Sequence, residues 1–94
     1  MLIVAGHLEV DSQDRDHYVR ECKPVVEQAR RAPGCLDFSI TADPIEADRV
    51  NIYERWESDA KLEAFRGSGP DDGLNGRIRS AHVWKYRISG TESP

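Results

Sequence analysis

The residues best suited to chemistry lie on two short alternating stretches. In Val50 to Ser58, VNIYERWES, an extended chain places Val50, Ile52, Glu54 and Trp56 on one face and Asn51, Tyr53, Arg55 and Glu57 on the other. A carboxylate beside an indole is either a surface group at a sheet margin or the polar point of a pocket. Burial would raise the pKa of such a carboxylate and fit it for proton transfer. The second stretch, His82 to Ser89, sets His82, Trp84, Tyr86 and Ile88 against Val83, Lys85 and Arg87. His82 is the preferred general base, because an imidazole titrates near neutrality, and Glu54 is the other catalytic candidate. Trp56 and Trp84 offer flat faces for stacking and indole N–H donors. Phe65 and Arg77 are placed to close the same slot, and all of these side chains are expected on the helix-covered side of a sheet. Each also has a plainer role. His82 can be a partly exposed histidine at a strand start, Glu54 the ion-pair partner of an arginine such as Arg77, and the tryptophans core packing.

The elements that must position them follow from pattern. Leu2 to Val10 reads as a strand with Leu2, Val4, Gly6, Leu8 and Val10 on one face and Ile3, Ala5, His7 and Glu9 on the other. Asp11 or Ser12 is expected to cap a long helix striped with Tyr18, Cys22, Val25, Val26 and Ala29. Pro24 inside it predicts a kink near Arg20 to Lys23, and Pro33-Gly34 stops it. Cys35 to Ala42 reads as a strand with Leu36, Phe38 and Ile40 inward. Asp43-Pro44 to Asp48 is a turn leading into the Val50 strand. Ser58 caps a short helix, Asp59 to Arg66, with Ala60, Leu62 and Phe65 as apolar contacts. Gly67 to Gly73 is a loop by composition, and Leu74 to Ser80 suggests a helical turn or two before the last strand.

The order is βαββαβ, an α+β, ferredoxin-like arrangement with a four-stranded antiparallel sheet. Residues 2–89 form the domain and 90–94 a tail. One sheet face is covered by helices. The other carries Ile3, Ala5, Tyr53 and Val83 by this parity, with His7 and Asn51 among them, which suggests a homodimer through the sheet faces.

Composition narrows the function classes. A net charge of −4 without a basic block argues against nucleic acid. The longest apolar run, Met1 to Ala5, is too short for a membrane span or a signal segment, so no membrane association is expected and the cytoplasm is the default location. Cys22 and Cys35 are expected as free thiols serving as small buried hydrophobes rather than a redox pair. No zinc spacing, CxxC or GxGxxG occurs, and no metal or cofactor is expected.

The opening LIVAGHLEV with its acidic helix start, the turn RRAPGCLDF, the strand-to-helix segment YERWES and the helix LEAFRGS together resemble the antibiotic biosynthesis monooxygenase domain. The likeness extends over roughly Leu2 to Ser89. It implies a dimeric α/β barrel in which two sheets face each other. It also implies cofactor-independent oxidation of a quinol- or anthrone-like aromatic substrate by O2, in an apolar slot between helices and sheet. Many members of that family carry a histidine where this chain has Phe65, and some oxygenating members an asparagine where it has Ile52. The asparagine and histidine of the haem-degrading branch have no counterpart at Gly6 or in Leu74 to Ser80, which disfavours haem degradation. The alternative is a non-catalytic dimeric module that binds a small aromatic ligand.

Overall fold

The computed structural model describes residues 1–68 and 75–94. Its elements are β1 (Leu2–Val10), α1 (Arg15–Glu21), α2 (Lys23–Arg31), β2 (Cys35–Ala42), β3 (Arg49–Trp56), α3 (Asp59–Ser68), a 3-10 turn (Asn75–Arg77) and β4 (Ile78–Arg87). The four strands form one antiparallel sheet in the order β2-β3-β1-β4. This is the expected α+β, ferredoxin-like arrangement. Among the described residues, no helix is long and apolar enough to cross a membrane.

The long first helix is two helices. Pro24 stands in the first turn of α2, where its missing N–H needs no partner, and the chain breaks at Cys22. The break falls where the proline predicts it. The expected caps do not form. Asp11 instead accepts the Gln13 backbone N–H at 2.9 Å, a turn ahead of α1, and Asp14 precedes the helix without a side-chain cap. Arg15 then ties α1 to the β2–β3 turn, donating to the carbonyls of Glu46 at 2.8 Å and Arg49 at 3.0 Å. Asp43 organises that turn by accepting from the backbone of Ile45 and Glu46 and from Asn51. These bonds hold its carboxyl down at about 2.

Two clusters make the core on the helix side. Leu2, Val4, Ala29, Phe38, Trp56 and Leu62 form the larger, and Val10, Tyr18, Cys22 and Val50 the smaller. Cys22 and Cys35 are free thiols; Cys22 is buried among apolar groups, as expected, and Cys35 is partly buried. Ser58 caps α3, accepting from the Lys61 backbone N–H at 3.2 Å. α3 runs two residues past the expected Arg66; Leu62 and Phe65 face the core, while Ala60 is exposed.

Three expectations are corrected. Leu36 does not point inward. The β2–β3 register shifts between Cys35 and Asp37, and this bulge leaves Leu36 43% exposed while Cys35 packs on the core. The part of Leu74 to Ser80 that is described is a single 3-10 turn followed at once by β4, which begins at Ile78. Most of the Gly67 to Gly73 loop, with Leu74, lies outside the described residues; Gly67 and Ser68 belong to α3. The third correction is the parity of β4. Leu2, Val4 and Gly6 oppose Arg87, Lys85 and Val83, whereas Ile3, Ala5 and His7 oppose Tyr86, Trp84 and His82. Directly opposed residues share a face. Val83 therefore lies on the helix side, and the His82, Trp84 and Tyr86 stripe on the open side.

Gly6 makes the β1–β4 pairing possible. Its φ is +151°, and a Cβ there would meet the His82 carbonyl oxygen at 1.9 Å. Gly6→Ala is expected to destabilise by about 1–3 kcal/mol from backbone strain alone, with the collision adding to it. Hydrogen exchange should show β4 amides losing protection before those of β2 and β3. An unchanged denaturation midpoint would contradict this role.

Candidate functional site

The helix-side site is built on β3. Strand alternation puts Glu54 between Val4 of β1 and Phe38 of β2, and brings Trp56 to the same face two residues on. Trp56 is completely buried, and its indole Nε1–H donates to Glu54 Oε1 at 3.0 Å. α3 lays Phe65 over the indole at 5.4 Å between ring centroids, and Phe38 meets Phe65 edge-on at 6.0 Å. The carboxylate thus shares its face with Phe38 and the Trp56 indole, and Phe65 packs on both of those rings. Oε2 of Glu54 has no hydrogen-bond partner among the described residues.

Burial pushes the Glu54 pKa above its ordinary value. The Trp56 N–H and the charge of Arg66 act in the opposite direction and are outweighed. A carboxylate in this state is a stronger base than a solvated one, and it keeps one oxygen fixed by the indole while the other is available. A groove of about 310 Å³ lies between the end of α2 and α3, lined by Ala32, Pro33, Lys61, Ala64 and Phe65, with Glu54 and Trp56 outside its lining. Phe65 is therefore shared between the aromatic cluster on Trp56 and a cleft of small-ligand size.

The structure brings together Glu54, Trp56 and Phe65 and separates the other expected members. His82, Trp84 and Tyr86 occupy the opposite face of the sheet, with Trp84 69% and Tyr86 51% exposed. The expectation that these three share the slot with Glu54 is corrected: a one-residue difference in parity moves a whole stripe across the sheet. His82 instead stacks on His7 at 4.9 Å, with Glu9 Oε1 3.5 Å from its Nε2. Arg77 neither closes the slot nor pairs with Glu54. It holds Asp14 through two bonds of 2.8 Å, bonds Glu21, and lies 5.3 Å over the Tyr18 ring, pinning the 3-10 turn to α1. His7, Asn51 and Tyr53 are on the open face, as expected.

Sequence reasoning did not single out Phe38 as a wall or Arg66 as the cation acting on Glu54. The inward phase of Phe38 was visible in its alternation. The influence of Arg66 depends on how α3 lies on the sheet, which no local pattern encodes.

The comparisons with known proteins agree with this architecture. The chain matches the family model described as antibiotic biosynthesis monooxygenase over residues 1–70, from β1 through α3, with β4 outside the match. A crystal structure from Deinococcus radiodurans assigned to antibiotic biosynthesis monooxygenase superposes with a TM-score of 0.85 at 17% identity, covering 100% of this chain and 98% of that one. Rv0793 from Mycobacterium tuberculosis gives a TM-score of 0.81 at 14% identity, with 98% of each chain covered. These likenesses concern the fold. An uncharacterized Synechocystis protein, sll1783, is 26% identical over 62 residues, which are 66% of this chain and 42% of that protein. The chain thus spans less than half the length of that curated relative. The family match takes in the strand that carries Glu54 and Trp56 and the helix that carries Phe65, and on it the chain belongs to the antibiotic biosynthesis monooxygenase family.

Proposed function

We propose that this chain is a cofactor-independent monooxygenase that oxidises a quinol- or anthrone-like aromatic substrate with O2, using Glu54 as its base. The observation that carries the proposal is the Glu54–Trp56 pair, a carboxylate with a raised pKa held by an indole N–H inside aromatic walls. In this scheme Oε2 of Glu54 takes the acidic proton of the substrate's reduced ring, the C–H of an anthrone or the O–H of a quinol, leaving an anion with charge on a ring carbon that bears hydrogen. The resulting enolate passes one electron to O2, and the radical pair joins as a carbon-bound hydroperoxide once Glu54 returns its proton. Loss of water from CH(OOH) leaves a new carbonyl. One O2 is consumed, one oxygen atom enters the product and the other leaves as water. The substrate supplies the electrons, and the apolar walls hold a planar ring while excluding bulk water. Phe65 is the stacking candidate, and Trp56, completely buried beneath it, acts through its bond to Glu54.

The proposal includes a homodimer through the open sheet faces. Ile3, Ala5, Tyr53, Trp84 and Tyr86 give that face more apolar surface than the original parity did, because the exposed aromatics of β4 are added to it. Trp84→Glu is expected to convert a dimer of twice 10.6 kDa to a monomer in light scattering, with the circular dichroism spectrum retained. A wild-type chain that runs as a monomer at tens of micromolar would contradict the dimer. We also assign the protein to the cytoplasm, where its two free thiols stay reduced.

One observation favours a second reading. With His82 on the far face, no histidine or second carboxylate pairs with Glu54 among the described residues, and the titratable groups that act on it or feel it are Arg66 and the Cys35 thiol. That arrangement also suits a dimeric module that binds an aromatic ligand without turning it over. Oxygen uptake by the purified protein with a panel of quinols and anthrones separates the two. Uptake that responds to Glu54 supports the oxygenase. Saturable quenching of tryptophan fluorescence without uptake supports the binding module.

A further inference from the structure

We propose that His7, Glu9 and His82 form a binding site for a divalent transition cation of the zinc type on the open face of the sheet. His7 and His82 are directly opposed on β1 and β4, and Glu9 follows His7 by two residues on the same face. Glu9 Oε1 lies 3.8 Å from His7 Nε2 and 3.5 Å from His82 Nε2, and one donor atom from each residue falls within 4.8 Å of the others. Tetrahedral coordination with bonds of about 2.0–2.1 Å sets donor atoms about 3.4 Å apart. Two of the three separations are already close to that value, and modest side-chain rotation closes the third. Two imidazoles and one carboxylate are borderline donors that suit zinc and its neighbours, and they leave a fourth position for water.

The surroundings support a cation. The carboxylates of Glu46 and Asp48 line a cavity of about 280 Å³ with His7, Glu9 and Arg49. The Arg49 guanidinium donates to Asn51 Oδ1 at 2.7 Å and lies 3.6 Å from Asp43, so its charge is already matched. Ser80 is the cross-strand neighbour of Glu9, and its hydroxyl is buried without a hydrogen-bond partner. A water on the ion would supply one. The scaffold is rigid, since the close approach of β4 to β1 at Gly6 sets His82 against His7. A stacked imidazole pair steadied by a carboxylate is the competing explanation, and it needs no ion. The site draws its three donors from one chain and lies on the sheet face opposite Glu54, the face proposed to meet a second copy, so its failure is distinguishable from that of the Glu54 chemistry.

The test is calorimetric titration of chelator-treated protein with Zn²⁺, repeated with Co²⁺ by visible absorption. One ion per chain is expected, with intense Co²⁺ bands typical of low coordination and a melting temperature raised by the metal. His82→Ala and Glu9→Gln should each weaken binding by about tenfold or more. His82 is 55% exposed in its side chain in the single chain, so the metal-free His82→Ala protein should keep the wild-type circular dichroism spectrum. His17→Ala, which touches the separate His17–Glu21 pair, should bind Zn²⁺ like wild type. Absence of saturable uptake, or a His82→Ala protein that binds as tightly as wild type, would overturn the site.

Discussion

Glu54→Gln is expected to reduce turnover by about 10²–10⁴-fold, the range of a lost general base. The substitution is conservative in shape. A glutamine oxygen can still accept the Trp56 indole N–H, so the apolar walls and the ring positions are retained. Binding of a planar ligand should therefore persist while oxygen uptake falls, a loss in kcat rather than in affinity. The pH dependence follows from the raised pKa of Glu54. The base must be ionised, so the wild-type rate should climb with pH through an apparent pKa above the ordinary carboxylate value. Stability runs the other way. A carboxyl whose folded pKa is raised above its unfolded value contributes stability in full below the unfolded pKa, and this is lost as pH rises through the folded pKa. Glu54→Gln should then melt at or above the wild-type temperature near neutral pH. A variant that melts lower and turns over normally would remove Glu54 from the mechanism.

The second large effect is structural. Trp56 is the largest completely buried side chain and sits among Leu2, Val4, Ala29, Phe38 and Leu62. Trp56→Ala is expected to cost about 3–5 kcal/mol, since removing a buried aromatic leaves a cavity the sheet cannot collapse into. A domain of this size has a net stability of about 5–15 kcal/mol, so the midpoint of chemical denaturation should fall far or the fold be lost. Trp56→Phe separates packing from hydrogen bonding. It retains most of the ring and removes the N–H that lowers the Glu54 pKa. The acid limb of the pH–rate profile should move further up in that variant, and an unmoved limb would mean that the indole does not tune the carboxylate.

Much of this was legible in the chain. β1 and β3 alternate cleanly, and Leu2, Val4, Phe38, Val50 and Trp56 all fall on the face their spacing assigns. Pro24 marked the break between α1 and α2, and Ser58 the start of α3. The fourth strand misled because its more apolar stripe is the exposed one. In β4 Ile78 and Val83 pack against the core, while Lys85 and Arg87 reach over the helix side to Asp59 at the start of α3, at 2.8 and 2.7 Å. On an edge strand such as β4, polarity ceases to report which side is inside. Leu36 was misplaced for a different reason, since a bulge resets the alternation without any marker in CLDFSI. Arg77 found Asp14 and Glu21, distant in sequence, and the meeting of His7 with His82 depends on the β1–β4 register. Neither can be read locally.

The two tryptophans stand on opposite faces of one sheet, Trp56 under the helices and Trp84 on the open side. Their indole N–H resonances therefore report directly on where an aromatic guest binds. Titrating ¹⁵N-labelled protein with a dihydroxyanthraquinone should shift the Trp56 indole signal saturably and leave that of Trp84 in place. A shift confined to Trp84, or none at either, would contradict a substrate site on the Glu54 side of the sheet.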